Sequence, residues 1–171
     1  MNTRTKLLTG VVTALMALPA LAGCTATTAM PVPTPTPTVL STSQAATLYL
    51  QTVCPVNAAA DVYSAAWTAT PVDLATVKSL AVQLATAETK QANTFDDKSI
   101  LWPESVKPDM QTMADNAFST LSWLSGIQNA TTLEAANVAA PAGDAAATAS
   151  QRIRSRLGLS SDTSASCIGV Q

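Results

Sequence analysis

The chain contains no histidine. That removes the usual general base near neutral pH and the commonest metal ligand, so serine or cysteine triads of the familiar kind cannot be assembled from it. Charged residues make up 12% of the 171 positions, about half the usual share for soluble domains. Aromatic residues make up only 4%, and much of the 47% hydrophobic content is alanine. A core built from these residues relies on close approach of alanine-lined helices more than on packing of large rings. The six glycines form no phosphate loop and no dinucleotide fingerprint. With a formal net charge of -2 the chain has no basic excess to neutralise phosphates, which argues against a nucleic-acid partner. The length suits one domain and is short for two.

What is present begins at the amino terminus. Arg4 and Lys6 precede an apolar stretch, Leu7 to Leu21, which is followed by the small residues Ala22 and Gly23 and then Cys24. The stretch is about 15 residues long and contains Gly10 and Pro19, so it reads as the apolar region of an export signal and not as a stable membrane span. A single arginine in this region does not indicate the twin-arginine route. Leu21, Ala22, Gly23 and Cys24 resemble the lipobox of bacterial lipoproteins. The resemblance implies cleavage before Cys24, a diacylglyceryl group on its sulfur, and residence on the outer face of the cell membrane. It covers only the first 24 residues and implies nothing about the domain behind them. Two acyl chains anchor a protein stably where one is marginal. Removal of the signal leaves seven basic against eleven acidic residues, so there is no polybasic second anchor and lipid has to hold the protein by itself.

Residues 24–42 form a Pro/Thr-rich linker in which prolines at 31, 33, 35 and 37 alternate with Val or Thr. Proline removes backbone donors and favours polyproline II, so Met30 to Val39 is expected to act as a semi-rigid stalk on the order of 30 Å long. The composition also suits O-glycosylation.

Residues 43–171 are expected to form a helical domain. A helix capped by Ser41 or Ser43 should direct Leu50, Val53, Val62 and Ala66 to a core, with a kink or break near Cys54 caused by Pro55. Thr70, Pro71 and Asp73 read as the start of a second helix, in which Leu74, Val77, Ala81 and Leu84 form an apolar stripe running to about Phe95. Val106, Met110, Met113, Ala117, Leu121 and Leu124 form a third stripe, with Pro108 near its start. A fourth helical segment opens at Thr131 with Glu134 at capping-box spacing, breaks at Pro141 to Asp144, resumes through Ile153 and Leu157, and stops at Gly158. The fold class predicted is all-α, a small antiparallel bundle of about four helices behind the stalk.

With Cys24 assigned to lipid by the resemblance, Cys54 and Cys167 remain. In an up-down-up-down bundle the last helix ends beside the start of the first, and the tail from Gly158 can extend about 30 Å, enough to reach Cys54. A disulfide between Cys54 and Cys167 is the expected state outside the cytoplasm; two free thiols are the alternative.

Few other residues suggest chemistry. Asp96 and Asp97 are the only adjacent acidic pair and read as a solvated turn beside Lys98. Glu88 falls close to the apolar stripe of the second helix. It is either a buried functional carboxylate or a point where the stripe frays. Arg152, Arg154 and Arg156 resemble a basic cluster, but residues two apart on a helix point about 200° apart, so Arg154 opposes the other two. Their place in the last turns suits the helix dipole. Met110, Met113, Phe118 and Trp123 read as core filling, with a ligand pocket as the alternative. Asn129, Ala130 and Thr131 spell a glycosylation sequon and read here as a turn and cap.

The layout of lipobox, stalk, helical domain and two later cysteines resembles the small alanine-rich lipoproteins of high-GC Gram-positive bacteria, which implies no activity. The expected function is a non-catalytic interaction module of the cell envelope, without cofactor or metal. The alternative is a carrier of a small apolar ligand or lipid in a cavity near Met110, Met113 and Trp123. A histidine-free hydrolase is the third reading.

Overall fold

Ser41 starts the domain by closing a capping box. Its hydroxyl accepts from the Gln44 backbone N–H at 3.2 Å, while the Gln44 side chain accepts from the Ser41 N–H at 2.9 Å, which satisfies two of the donors a helix start leaves open. The computed structural model describes residues 38–170. The expected signal peptide, the lipidation site Cys24 and most of the linker lie outside the described residues. Among those described there are six helices and no strand: α1 (Thr42–Thr68), α2 (Leu74–Asp96), α3 (Lys107–Asn129), α4 (Leu133–Ala136), α5 (Asp144–Arg156) and α6 (Thr163–Ser166). The domain is a small all-α bundle dominated by α1, α2, α3 and α5. No helix among the described residues is long and apolar enough to cross a membrane.

Several local expectations need correction. α1 runs unbroken through Pro55. The proline is exposed and Gln51, whose carbonyl loses its donor, is exposed as well, so water replaces the missing bond and the helix continues. Val62 is not directed to the core but is 53% exposed; the buried positions of that half of α1 are Val56 and Tyr63. The cap of α2 is Asp73, not Thr70, with its carboxylate accepting from the Thr76 N–H at 2.8 Å. Pro71 stays in the connection, after a cis Thr70–Pro71 peptide. Thr132, not Thr131, caps α4. Gly158 does follow the end of α5, with φ at +70°, a backbone region that glycine enters without the Cβ clash of other residues.

Two apolar clusters define the direction of packing. One gathers Ala45, Tyr49 and Val53 of α1, Phe95 at the end of α2, Val106, Met110 and Met113 at the start of α3, and Ala149 and Ile153 of α5. The other gathers Val56 and Tyr63 of α1, Val77, Ala81 and Leu84 of α2, Leu124 and Ile127 of α3, and Ala136 of α4. The early part of each long helix therefore meets the late part of its neighbour, so α1, α2 and α3 are antiparallel. The alanine faces let them pack closely, and Lys78 ties α2 to α3 by donating to the Ala130 carbonyl at 2.8 Å. At the other end Leu40 donates from its backbone to the Leu101 carbonyl at 2.8 Å. The chain thus enters the bundle beside the α2–α3 connection.

Candidate functional site

The carboxy-terminal tail returns to α1, where Cys54 and Cys167 are joined with Sγ atoms 2.02 Å apart and Cα atoms 5.4 Å apart. The expected pairing is present. Arg154 holds the same tail, donating from Nε to the Ser160 carbonyl at 2.9 Å and from Nη2 to the Asp162 carbonyl at 3.1 Å. Asp162 in turn caps the short α6.

The three arginines of α5 divide as the helical angle requires. Arg152 donates from Nε and Nη2 to Asp109 Oδ1 at 2.9 and 2.5 Å, and Arg156 donates from Nη1 to Asp109 Oδ2 at 2.7 Å and also to the Ser105 carbonyl. Arg154 turns the other way and is 1% exposed. Arg154 and Arg156 lie in the last turn, where the dipole of α5 favours a cation, and each of the three arginines also has a specific partner in another segment. Asp109 carries the joint between α3 and α5 at the third position of α3, where the helix dipole also favours a negative charge. Asp109→Ala is expected to destabilise the domain by about 2 kcal/mol. That is less than loss of a fully buried pair costs, because both arginines are half-exposed and regain water. Urea unfolding at neutral pH checks this, and a midpoint unchanged from the parent contradicts it.

Beneath the tail lies a polar cavity of ≈ 160 Å³ whose walls include Glu88, Gln91, Asn57, Asn116, Ser150 and Arg154. Glu88 is buried and, among the described residues, its carboxylate accepts one long hydrogen bond, from Gln91 Nε2 at 3.5 Å. Burial without a cation pushes its carboxyl up to about 7. Glu88 thus continues the buried face of α2, and the stripe does not fray there. Tyr49 hydroxyl and Ser150 hydroxyl, 2.8 Å apart, link α1 to α5 on the same side. Arg154 Nη1 is buried without a hydrogen-bond partner among the described residues. The sequence offered a signal for Glu88, its place beside the stripe, and only a weak one for Arg154, which borders the Ala149 and Ile153 positions of α5.

Two further concave regions lie at opposite ends of the bundle. Near the point of chain entry, a cleft of ≈ 540 Å³ is walled by Val39, Phe95, Ile100, Leu101, Trp102 and Pro108, among others. Trp102 is buried and its Nε1 has no partner among the described residues. At the end remote from entry, Tyr63 meets Trp67 and Trp123 edge to face, with centroids 6.4 and 5.8 Å apart. Two clefts of ≈ 250 and ≈ 300 Å³ adjoin there and share Trp67 and Asn137. Trp123 donates from Nε1 to the Val138 carbonyl at 3.1 Å, so one wall is braced while Val138 itself is 47% exposed.

Core filling, the expected reading of Met110, Met113 and Trp123, is what the structure shows, and of that group only Phe118 departs from it. Met110 and Met113 pack in one core cluster, Trp123 packs against the other, and Phe118 is exposed. Asp96 is the last residue of α2 and Asp97 its C-cap, so the expected turn begins only after them, at Lys98. Both carboxyls sit below the ordinary aspartate value, Asp96 chiefly through its bond to Lys98 and Asp97 chiefly through its bond to the Ser99 hydroxyl. Among the described residues no group of three His, Cys, Asp or Glu is placed to hold a metal ion. No protein-family model matches the chain, and no curated protein or solved structure shows significant similarity to it.

Proposed function

We propose that the protein is a non-catalytic lipoprotein of the cell envelope. Its diacylglyceryl group on Cys24 holds it at the outer face of the membrane, and its helical domain binds an envelope protein through the aromatic clefts around Trp67. The observation that carries this reading is that Trp67 and Trp123, gathered with Tyr63 at one end of the bundle, are partly exposed along clefts, whereas the ring group Tyr49, Phe95 and Trp102 is buried. Tyrosine and tryptophan bury large areas at small entropic cost and dominate the energetics of protein interfaces. That end also lies at the far end of α1 from Leu40, where the chain enters. A helix of 27 residues is about 40 Å long, so the clefts stand well away from the tethered end. The sequence signal Leu21 to Cys24 supplies the anchor.

Crosslinking on intact native cells followed by mass spectrometry tests the reading, with Cys24→Ala as the unanchored form and Trp67→Ala as the cleft variant. One protein is expected to be captured by the parent, lost with Cys24→Ala, and reduced at least about tenfold with Trp67→Ala, in line with removal of an interface anchor. Capture that is indifferent to both substitutions rejects the proposal. Recovery of lipid alone favours a second reading, a carrier of a small apolar ligand. The cleft beside Phe95, Ile100 and Trp102 supports that alternative, since these apolar side chains form one part of its walls and Asp97, Lys98, Glu104, Lys107 and Gln111 the polar part.

A further inference from the structure

The cavity beneath the tail holds two opposite charges that do not touch. Arg154 is 1% exposed and Glu88 6% exposed, both line the same ≈ 160 Å³ space, and no ion pair among the described residues includes either of them. A guanidinium taken out of water requires its donors to be met, yet Nη1 is unmatched. A carboxylate taken out of water requires donors too, yet Glu88 is offered only the long contact from Gln91. An apolar core would have been the cheaper filling for this position. Both groups are instead left with unused capacity beside a space lined by Asn57, Gln91, Asn116 and Ser150 together with the apolar Val53, Val56 and Met113. At about 30 Å³ per water the space corresponds to roughly five waters, or one organic molecule of similar bulk.

We propose that this cavity is a binding site for a small zwitterion of the α-amino acid type, whose carboxylate meets the Arg154 guanidinium and whose ammonium meets the Glu88 carboxylate. Each end of such a ligand supplies what one wall lacks: an acceptor for the unmatched Nη1 donor of Arg154, and a cation for an unpaired acid. The amides of Asn57 and Asn116 can donate to or accept from the ligand's middle. Thr163, on the tail that the Cys54–Cys167 bond pins to α1, forms part of the wall. A second cleft of ≈ 340 Å³ along that disulfide shares Asn57 and Thr163 with the cavity. The inference is independent of any protein partner at the aromatic end.

Titration calorimetry of the full-length chain with L-alanine, L-serine, acetate, ethylamine and L-tryptophan tests it. Saturable binding is expected for alanine or serine. Acetate and ethylamine, which carry one charge each, and tryptophan, which exceeds the space, should give none. Glu88→Gln should weaken binding at least tenfold, and Asn57→Leu, which fills the cavity without touching either charge, should abolish it while circular dichroism stays helical. If Glu88→Gln does not fold, Asn57→Leu decides. Absence of saturable heat with every zwitterion shows that the cavity holds only water and overturns the proposal. Acetate binding as well as alanine does, or affinity unchanged in both variants, overturns it equally.

Discussion

Reduction of the Cys54–Cys167 bond is expected to lower the stability of the domain by about 4 kcal/mol. The two residues are 113 apart in sequence, and closing a loop of that length removes about 4 to 5 kcal/mol of conformational freedom from the unfolded chain in the chain-entropy treatment, with observed losses usually between 2 and 5. The folded side of the balance changes less, because the tail has a second hold. Arg154 grips the carbonyls of Ser160 and Asp162, so the effect lies mainly in the unfolded state. Urea titrations of the full chain with and without a reducing agent, and of a Cys54→Ala, Cys167→Ala double variant, should agree with each other and differ from the oxidised parent. A shift below about 1 kcal/mol would mean that the unfolded chain is already constrained in some other way. The same bond bears on location. Alkylation of the native protein before any reduction should leave Cys54 and Cys167 unmodified; free thiols at both positions would contradict an oxidising, extracytoplasmic setting.

Glu88→Gln is expected to stabilise the protein by about 3 kcal/mol at pH 8 and to change nothing below pH 4. The carboxyl rises from 4.5 in the unfolded chain to about 7 in the folded one, and each unit is worth about 1.4 kcal/mol. Below pH 4.5 both states hold the proton and the residue costs nothing. Between 4.5 and about 7 the folded state holds more protons than the unfolded state, so stability falls as pH rises. Above about 7 both states have released the proton and the full penalty of a buried, unpaired carboxylate remains. Glutamine has no proton to lose, so its profile should lack this fall. Asp73, Asp96, Asp97 and Glu134 run the other way, held below their ordinary values by hydrogen bonds chiefly from Thr76, Lys98, Ser99 and, for Glu134, the backbone. Their stabilisation is present once they ionise and is lost as pH falls, so the parent should be most stable near pH 5. A parent profile that stays flat between pH 5 and 8 would show that Glu88 has found water or a cation that relieves it.

The fold was largely legible because its information is local. Leu84 and Ala81 recur at helical spacing, Gly158 stops α5 at a positive φ, and Pro108 sits within the first turn of α3. Each of these depends on residues within a few positions of itself. The local errors share one cause. Thr70 and Thr131 are suggested by local spacing to Asp73 and Glu134, and a kink or break near Cys54 by Pro55. Which neighbouring oxygen meets an open N–H, and whether a freed carbonyl faces water, depend on how the segment is seated against the rest of the chain. Val62 was assigned to the core for the same reason, since a face rich in small residues does not by itself reveal which flank another helix will cover.

One thing was determined by the sequence alone: an all-α bundle, whose apolar stripes have no other way to be covered. The sequence left Cys54 and Cys167 either paired or free, and the folded chain joins them. The tertiary structure decided the chemistry. Asp109 joins Arg152 and Arg156 across 43 and 47 residues, while Arg154, between them in sequence, is sent to the opposite side and ends beside a cavity shared with Glu88. Helical periodicity fixes the angle at which a side chain leaves its own axis but not what it meets there, because that partner is brought by another segment of the chain.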